Sequence, residues 1–242
     1  MRPDLSIVIP AFNEERRLPA SLEALGAYLS SRKAPLSVEV VVADDGSADR
    51  TAERAVDTGR RLGLALRVVR FPRNRGKGAA VRAGALAAEG TLVLVSDADF
   101  STPIGEWEKL ASAGAPVAIG SRAVDESLVK ERQPLPRVLA GKLFNLVVRA
   151  VAVPGIRDTQ CGFKLFSREA AGAVFSRTTV DRFAWDVEAL LLARKLGYAI
   201  AEVPVLWFDS PDSRVTLASG IAAYLDLFRI RRRVDRALRP RR

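Results

Sequence analysis

Two aspartates separated by one residue, in the segment Asp97-Ala98-Asp99, are the feature of this sequence that most directly suggests chemistry. They follow Thr91–Ser96, an apolar run that predicts a buried strand. Carboxylates at positions i and i+2 of a turn can converge on one divalent cation. Such oxygen ligands suit Mg²⁺ or Mn²⁺, and substrate phosphate often completes the shell. Taken alone, the pair is equally compatible with a solvated acidic turn.

Three further polar segments follow predicted strands or precede predicted helices. Pro10–Glu14 follows the first strand, so that Phe12 would face a base and Glu14 a ribose. Asp44–Ser47 follows the second strand and offers carboxylates to a nucleobase or ribose. The basic loop Arg73–Gly78 suits a diphosphate, although it lacks the spacing of a P-loop. Each segment also has an ordinary structural interpretation, as helix caps, a turn or a solvated loop.

The composition limits which chemistry is available. The 242 residues contain 38 Lys and Arg against 28 Asp and Glu, a net charge of +10, with no His and a single Cys, Cys161. Without histidine there is no Ser-His-Asp or Cys-His nucleophile system, no imidazole base and no His-ligated zinc. One cysteine excludes intrachain disulfides. What remains is chemistry by carboxylates, Arg and Lys, backbone amides and a hard metal ion.

The elements that must position these residues form an α/β pattern. Apolar runs alternate with helical segments through the first half, and their continuous apolar character predicts strands covered on both faces. The pattern indicates an open, mostly parallel sheet flanked by helices, with ligands at the carboxyl ends of the strands. Strands are predicted at Leu5–Pro10, Val38–Ala43, Leu66–Phe71, Thr91–Ser96, Val117–Gly120, Phe163–Phe166 and Ala199–Trp207, and helices at Glu14–Ser30, Asp49–Leu62, Lys77–Ala88, Arg137–Val153, Ala184–Leu196 and from Leu217 onward.

A set of motifs spread along the chain resembles family 2 glycosyltransferases of the GT-A fold. Within that family the chain is most similar to the dolichyl-phosphate β-glucosyltransferase-like, or polyprenyl-phosphate glycosyltransferase, branch. The matching stretches are SIVIPAFNEERRL (6–18), VVADDGSADRTAE (41–53), RNRGKGAAVRAG (73–84), SDADFSTP (96–103), IGSRA (119–123), GIRDTQCGFKLF (155–166), EVPVLW (202–207) and DSRV (212–215).

The resemblance implies a GT-A, Rossmann-like domain with C-terminal amphipathic helices and a role for each matched position. Residues 1–120 would be the half that binds the nucleotide sugar, 121–228 the acceptor half of the same domain, and 229–242 a basic tail with eight arginines. The implied nucleotide pocket consists of Pro10, Phe12, Glu14, Ala43 and Asp45, with Asp45 facing the base. Asp97, Ala98 and Asp99 would form the D-x-D motif, in which Asp97 and Asp99 bind the metal and Ser101 completes its shell. Lys77 and Arg214 would lie by the diphosphate, Arg122 on the donor side, and Asp158 near the acceptor, where some relatives use it as a base.

The expected reaction is an inverting, metal-dependent transfer of a hexose to a polyprenyl phosphate. UDP-glucose is favoured as the donor over GDP-mannose, and Mg²⁺ or Mn²⁺ is the expected cofactor. A lipid phosphate has a second pKa of about 6, so it needs no strong base. Three alternatives stay open: a mannosyltransferase, a family 2 enzyme with a soluble acceptor, and a nucleotide or nucleic-acid binding module without turnover.

The basic surplus predicts an anionic partner surface. Arg229–Arg242, next to the predicted amphipathic helix, suggests a peripheral protein on the cytoplasmic face of a membrane, near its lipid acceptor. A frayed, solvated tail is the competing interpretation, and nucleic acid is disfavoured as a partner because no nucleic-acid motif accompanies the arginines. The longest apolar stretch, Leu143–Ile156, is interrupted by polar residues and falls short of the ~20 residues that cross a bilayer.

Overall fold

A seven-stranded sheet forms the centre of the computed structural model, which describes residues 2–130, 148, 153–208, 229–236 and 238. The strand order is β3-β2-β1-β4-β6-β5-β7, and β6 alone runs antiparallel to its neighbours. The strands are β1 (Leu5–Ala11), β2 (Val38–Asp44), β3 (Ala65–Arg70), β4 (Leu92–Val95), β5 (Val117–Ser121), β6 (Lys164–Ser167) and β7 (Ile200–Pro204). The mostly parallel α/β sheet predicted from the sequence is therefore confirmed.

Helices cover both faces of this sheet. They are α1 (Leu18–Ser31), α2 (Thr51–Arg61), α3 (Lys77–Ala87), α4 (Trp107–Ser112), α5 (Arg168–Phe175) and α6 (Trp185–Lys195), and residues 229–236 are also helical. Strand β1 is buried along its whole length because it presents Leu5, Ile7 and Ile9 to one helical layer and Val8 to the other. The continuous apolar runs of the sequence are thus explained by a sheet that is covered on both sides.

The two layers have distinct apolar cores. Helices α1, α2 and α4 pack on one face, whereas α3, α5, α6 and the helical residues 229–236 pack on the other. Ile230 and Val234 are buried in that second core, and Lys195 of α6 forms an ion pair with Asp235. Part of the segment predicted as a basic tail is therefore an element of the folded domain, with Arg231, Arg232 and Arg233 on its exposed side.

Several predicted elements differ from the structure or fall outside it. The first helix begins at Leu18 rather than Glu14, because Pro19 fits only the first turn of a helix, where no amide donor is needed. Helices α4 and α5 were not predicted. The predicted helix at 137–153, apart from residues 148 and 153, and the helix from Leu217 lie outside the described residues.

Candidate active site

The polar corners predicted from the sequence meet at one rim of the sheet. They follow β1, β2 and β4, which are neighbours in the sheet because β1 lies between β2 and β4. From β1, the strands β2 and β3 are added on one side of the sheet, whereas β4 is added on the other. Such a switch in strand order opens a crevice beyond the carboxyl ends of the strands. The rim that carries the corners is therefore the place where an α/β sheet binds its ligand.

The first two corners are joined by a reciprocal pair of hydrogen bonds. The backbone N–H of Asn13 donates to Ser47 Oγ at 2.9 Å, and the N–H of Ala48 donates to Asn13 Oδ1 at 2.9 Å. Asn13 adopts a left-handed backbone conformation, with φ of 54°. The interpretation of these corners as helix caps is wrong, because the side chains of Asn13 and Ser47 each bond the opposite corner and helices α1 and α2 begin several residues later.

Arg17 connects the first corner to the acidic one, and its only signal in the sequence is its place in the stretch 6–18. Its guanidinium donates two hydrogen bonds to the buried Glu14 carboxylate, at 2.6 and 2.7 Å. It also lies 3.8 Å from Asp99 Oδ2. Glu14, predicted to face a ribose, thus binds Arg17 and holds that cation beside Asp99.

Asp45 fastens the basic loop that precedes α3. One carboxylate oxygen accepts the N–H of Arg75 at 2.7 Å, and the other accepts the N–H of Gly76 and the side-chain amide of Asn74, both at 2.8 Å. Its neighbour Gly46, with φ of 70°, lies so close to the loop that a Cβ would be 2.4 Å from the carbonyl carbon of Arg73. Asp45 therefore holds the basic loop in place, and its role of facing a base stays a prediction.

The remaining predicted pocket residues line the same rim. Pro10 and Ala43 are paired across β1 and β2 and are buried. Ala98 is buried and its carbonyl accepts a 2.7 Å hydrogen bond from Ser21 of α1. Phe12 is more than a third exposed, so its ring is accessible to a ligand.

The acidic corner after β4 contains a close ion pair. Lys77, at the start of α3, donates to Asp97 Oδ1 at 2.6 Å. Partial burial opposes ionisation, but the Lys77 ammonium outweighs it and lowers the pKa of Asp97. Asp99 Oδ1 accepts the N–H of Ser101 at 3.1 Å, in a turn where Phe100 has a left-handed φ of 45°. The corner therefore brings the carboxylates of Asp97 and Asp99 together with an ammonium group at the start of a helix.

A second ion pair, Arg122–Asp158, lies on the other side of the rim. Arg122 Nε and Nη2 donate to the two oxygens of Asp158 at 2.7 and 3.0 Å, and the Arg122 N–H adds a third bond at 3.0 Å. Burial opposes ionisation of Asp158, yet the guanidinium lowers its pKa to about 2. Arg122 also lies over the Trp207 ring, 5.3 Å from its centroid. A carboxylate held in this way is a weak proton acceptor.

Glu202 on β7 supports this second pair and was missed as a site residue. Its carboxylate accepts the backbone N–H groups of Arg157 and Asp158 and the hydroxyl of Ser121, at 2.7 to 3.0 Å. The stretch EVPVLW was a signal for it, since a glutamate in an apolar strand needs partners inside the fold. Glu202 fixes the loop that carries Asp158 against the end of β5.

Asp97 and Asp99 fit a hard divalent cation only with ligands from elsewhere. In the described part of the chain, no group of three or more acidic or cysteine side chains could hold a metal ion. Two carboxylates with a nearby serine are nonetheless the sparse oxygen set with which proteins bind Mg²⁺ or Mn²⁺ when substrate phosphate completes the shell. Arg214, predicted beside the diphosphate, lies outside the described residues.

Comparison with protein families and curated proteins gives matches over most of the chain. The model described as glycosyl transferase family 2 matches residues 6–175. A dolichyl-phosphate beta-glucosyltransferase of Trichomonas vaginalis is 39% identical over 237 residues, covering 93% of this chain and 72% of that protein. The human dolichyl-phosphate beta-glucosyltransferase is 38% identical, covering 87% of this chain and 69% of that protein. For the enzyme of that name from Saccharomyces cerevisiae the identity is 34%, covering 88% and 70%.

Solved structures share the fold. Glucosyl-3-phosphoglycerate synthase from Mycobacterium tuberculosis, in complex with Mn²⁺, UDP and phosphoglyceric acid, aligns with a TM-score of 0.69 at 21% identity, covering 99% of this chain and 80% of that one. At this identity the likeness establishes the architecture alone. No helix in the described ranges combines the length and the apolarity that crossing a bilayer requires.

Proposed function

Since this chain belongs to glycosyl transferase family 2, we propose that it transfers glucose from UDP-glucose to the phosphate of a dolichyl or related polyprenyl phosphate. The observation that carries the proposal is the acidic corner, where Asp97, Asp99 and the Lys77 ammonium lie together at the switch point of the sheet. The curated relatives that cover most of this chain carry that activity in their names. The sugar and the lipid acceptor are taken from these names.

The donor diphosphate fits between the acidic corner and the start of α3. Asp97 and Asp99, with Ser101, would hold Mg²⁺ or Mn²⁺, which neutralises charge on the diphosphate leaving group when it is bound. The Lys77 ammonium, at the start of α3, adds positive charge at the same place. Arg122 contributes further positive potential, because its charge also acts on Asp97.

The transfer is a direct displacement at the anomeric carbon. An oxygen of the acceptor phosphate forms the new bond to that carbon, while the bond to the UDP diphosphate breaks and its electron pair leaves with UDP. An α-linked donor therefore gives a β-linked lipid phosphosugar. Because a lipid phosphate is largely ionised at neutral pH, no side chain needs to remove a proton. Asp158 acts in this mechanism by orienting Arg122 and not as a general base.

The lipid acceptor implies contact with a membrane surface. We infer that the exposed arginines of residues 229–236 face anionic lipid, since each basic residue near such a surface contributes about 1 kcal/mol. Placement on the cytoplasmic face is part of the same proposal. The apolar side of this helix is anchored in the core, so the arginines are presented on a fixed element.

Radiolabelled sugar transfer tests the function directly. Wild-type protein is incubated with dolichyl phosphate, either UDP-glucose or GDP-mannose, and Mn²⁺, Mg²⁺ or EDTA. We expect label in the lipid fraction with UDP-glucose and metal only. Transfer from GDP-mannose alone would replace glucose by mannose, transfer only to water-soluble acceptors would exclude the lipid, and absence of any transfer would contradict the proposal.

A matched pair of variants tests the acidic corner. Asp99→Asn removes one carboxylate from the corner, and Asp57→Asn makes the same change on the exposed face of α2. We expect kcat to fall by at least ~100-fold for Asp99→Asn, because the charge that develops on the leaving group loses its main support. Asp57→Asn should retain the wild-type rate. Equal rates for the two variants would exclude the corner from catalysis.

A further inference from the structure

A lysine whose side chain is completely buried lies directly behind the acidic corner. Lys164 opens β6, and its ammonium donates to Asp186 Oδ1 at 2.6 Å and to the carbonyl of Cys161. The ammonium also lies 5.3 Å from the centroid of the Trp185 ring. Removing an ammonium and a carboxylate from water costs several kcal/mol for each ion, and replacing a buried ion pair by apolar residues of similar size is often neutral or stabilising. The stability of the fold alone does not explain this pair.

Lys164, one member of the ion pair, holds the backbone against which the Asp97 carboxylate packs. Lys164 binds the carbonyl of Cys161, the residue before Gly162. A Cβ on Gly162 would lie 2.2 Å from Asp97 Oδ2, so the Asp97 carboxylate packs directly on the Gly162 backbone. The bond from Lys164 therefore fixes the turn that limits where the Asp97 carboxylate can lie.

Asp186, the other member of the pair, is connected to Lys77 through packing contacts between α6 and α3. Asp186 is in the first turn of α6, next to Trp185, and Trp185 Cβ would lie 2.8 Å from a Cβ placed on Gly78. Gly78 follows Lys77, whose ammonium returns to Asp97 at 2.6 Å. Contacts thus form a closed circuit from Lys164 through α6 and α3 to Asp97, and back through Gly162.

Electrostatics couples the same four groups. The charges alternate as Lys77, Asp97, Lys164 and Asp186, and their sum is zero. The Lys164 ammonium, after that of Lys77, helps to lower the pKa of Asp97. Burial raises the pKa of Asp186, while Lys164 and Lys77 oppose that rise. A change at the buried pair is therefore transmitted to both groups that face the crevice.

We propose that the Lys164–Asp186 ion pair positions Asp97 and Lys77 for the donor diphosphate and its metal. The pair acts through other residues and touches no substrate, so it is a positioning device. This inference rests on the proposed function, because it assigns a purpose to the pair only if the crevice binds a nucleoside diphosphate. It predicts that the pair matters for donor affinity more than for stability.

The test replaces the pair by apolar residues and measures binding apart from catalysis. The double variant Lys164→Met/Asp186→Val is compared with wild type by thermal unfolding and by calorimetric titration of UDP with Mn²⁺, well below the unfolding temperature. We expect an unfolding temperature close to wild type and an affinity at least ~10-fold weaker, as when a supporting residue of a metal site is removed. The KM for the donor should rise while the KM for the acceptor phosphate stays unchanged.

Two further variants keep the test decisive. Asp186→Asn preserves shape and removes one charge, so it provides a folded probe if the double variant does not fold, and we expect its affinity to fall too. Glu39→Gln perturbs a buried carboxylate that binds Ser6 and Arg67 at the amino ends of the strands, away from the crevice, and should leave UDP affinity unchanged. Wild-type affinity in a folded pair variant overturns the inference. Failure of wild type itself to bind UDP with Mn²⁺ overturns the proposed function instead.

Discussion

Individual side chains at the crevice are tied to partners that restrict what they can do. Asp158 is the clearest case, because Arg122 holds both of its oxygens. Its pKa of about 2 lies below the usual value of 3.8, so folding favours the ionised form. The stabilisation is complete above pH ~4 and is lost as the pH falls through the folded-state value. The pair therefore belongs to the acid sensitivity of the protein and not to the neutral-pH range of the reaction.

The variant Asp158→Asn should be less stable than wild type at pH 7, by about 2 kcal/mol, and should lose part of the acid sensitivity between pH 4 and 2. Urea unfolding followed by circular dichroism at a series of pH values measures both effects. A stability difference that is constant from pH 7 to pH 2 would contradict the assignment of this carboxylate as ionised and paired.

Gly162 offers a second residue-scale prediction, because the Asp97 carboxylate lies directly against its backbone. Its φ lies outside the left-handed region, so alanine fits the backbone, but the new Cβ would collide with Asp97 Oδ2. The side chain of Asp97 can swing away at small cost to the fold. We expect Gly162→Ala to weaken UDP–Mn²⁺ binding by at least ~10-fold with a loss of stability below about 1 kcal/mol.

Gly172→Ala is the control for that change. Gly172 lies in α5 with no atom within 4 Å of its Cβ position, so alanine there should raise stability by up to about 1 kcal/mol and leave UDP affinity as in wild type. If Gly162→Ala retained full affinity, the packing of Asp97 on that glycine would have no functional role.

At the scale of elements, the start of α3 depends on its contact with the segment before α6. The N–H of Ala79 donates to the carbonyl of Asp181, and Glu188 on α6 holds that segment through the N–H groups of Thr179 and Val180. Gly78 lies under it so closely that a Cβ would be 2.3 Å from the carbonyl oxygen of Val180. The segment before α6 therefore holds the first turn of α3, the helix that carries Lys77, in place.

The variant Gly78→Ala should destabilise the protein by about 1–3 kcal/mol, since the colliding atom belongs to the backbone and cannot rotate away. Urea denaturation with the midpoint as the readout measures this. Gly26→Ala, in the middle of α1 with only ordinary contact to Leu62, should instead be neutral or stabilising. If Gly78→Ala were as stable as wild type, α3 and the segment before α6 would have to move apart easily.

Sequence predicted the sheet and its corners well, because apolar runs and polar corners are local signals. The short helix α4 has only six residues, too few for a periodic pattern. Helix α5 directly follows β6, and its signal was the cap, since Ser167 accepts the N–H of Ala170. The contacts that define the crevice join residues far apart in sequence. Asp45 with the basic loop and Lys164 with Asp186 are pairings that no local pattern encodes.

For the whole molecule, the arginine-rich segment combines a structural role with a charged surface. Ile230 and Val234 are buried in the core that α6 shares, whereas Arg231, Arg232 and Arg233 are exposed. Deleting the segment would open that core and remove the charge together. Substitutions on either side of the helix separate the two contributions.

The triple change of Arg231, Arg232 and Arg233 to Gln should reduce binding to vesicles that contain anionic phospholipid, by about 3 kcal/mol or roughly 100-fold at low salt, with little change in unfolding temperature. Ile230→Ala should instead lower the free energy of unfolding by about 2–5 kcal/mol and reduce vesicle binding less than the triple change does. Vesicle sedimentation and calorimetry are the two measurements. Undiminished sedimentation of the triple variant would remove these arginines from the proposed lipid contact.

The antiparallel direction of β6 makes one side of the crevice independent of the other. Because β6 runs against β4 and β5, the residues ahead of it, including Asp158 and Gly162, arrive at the same rim as the residues that follow β1, β2 and β4. The chain thus supplies the crevice from two independent stretches of polypeptide. A change in the length of the stretch ahead of β6 would therefore reshape the side of the crevice that Asp158 and Gly162 occupy without moving β1, β2 or β4.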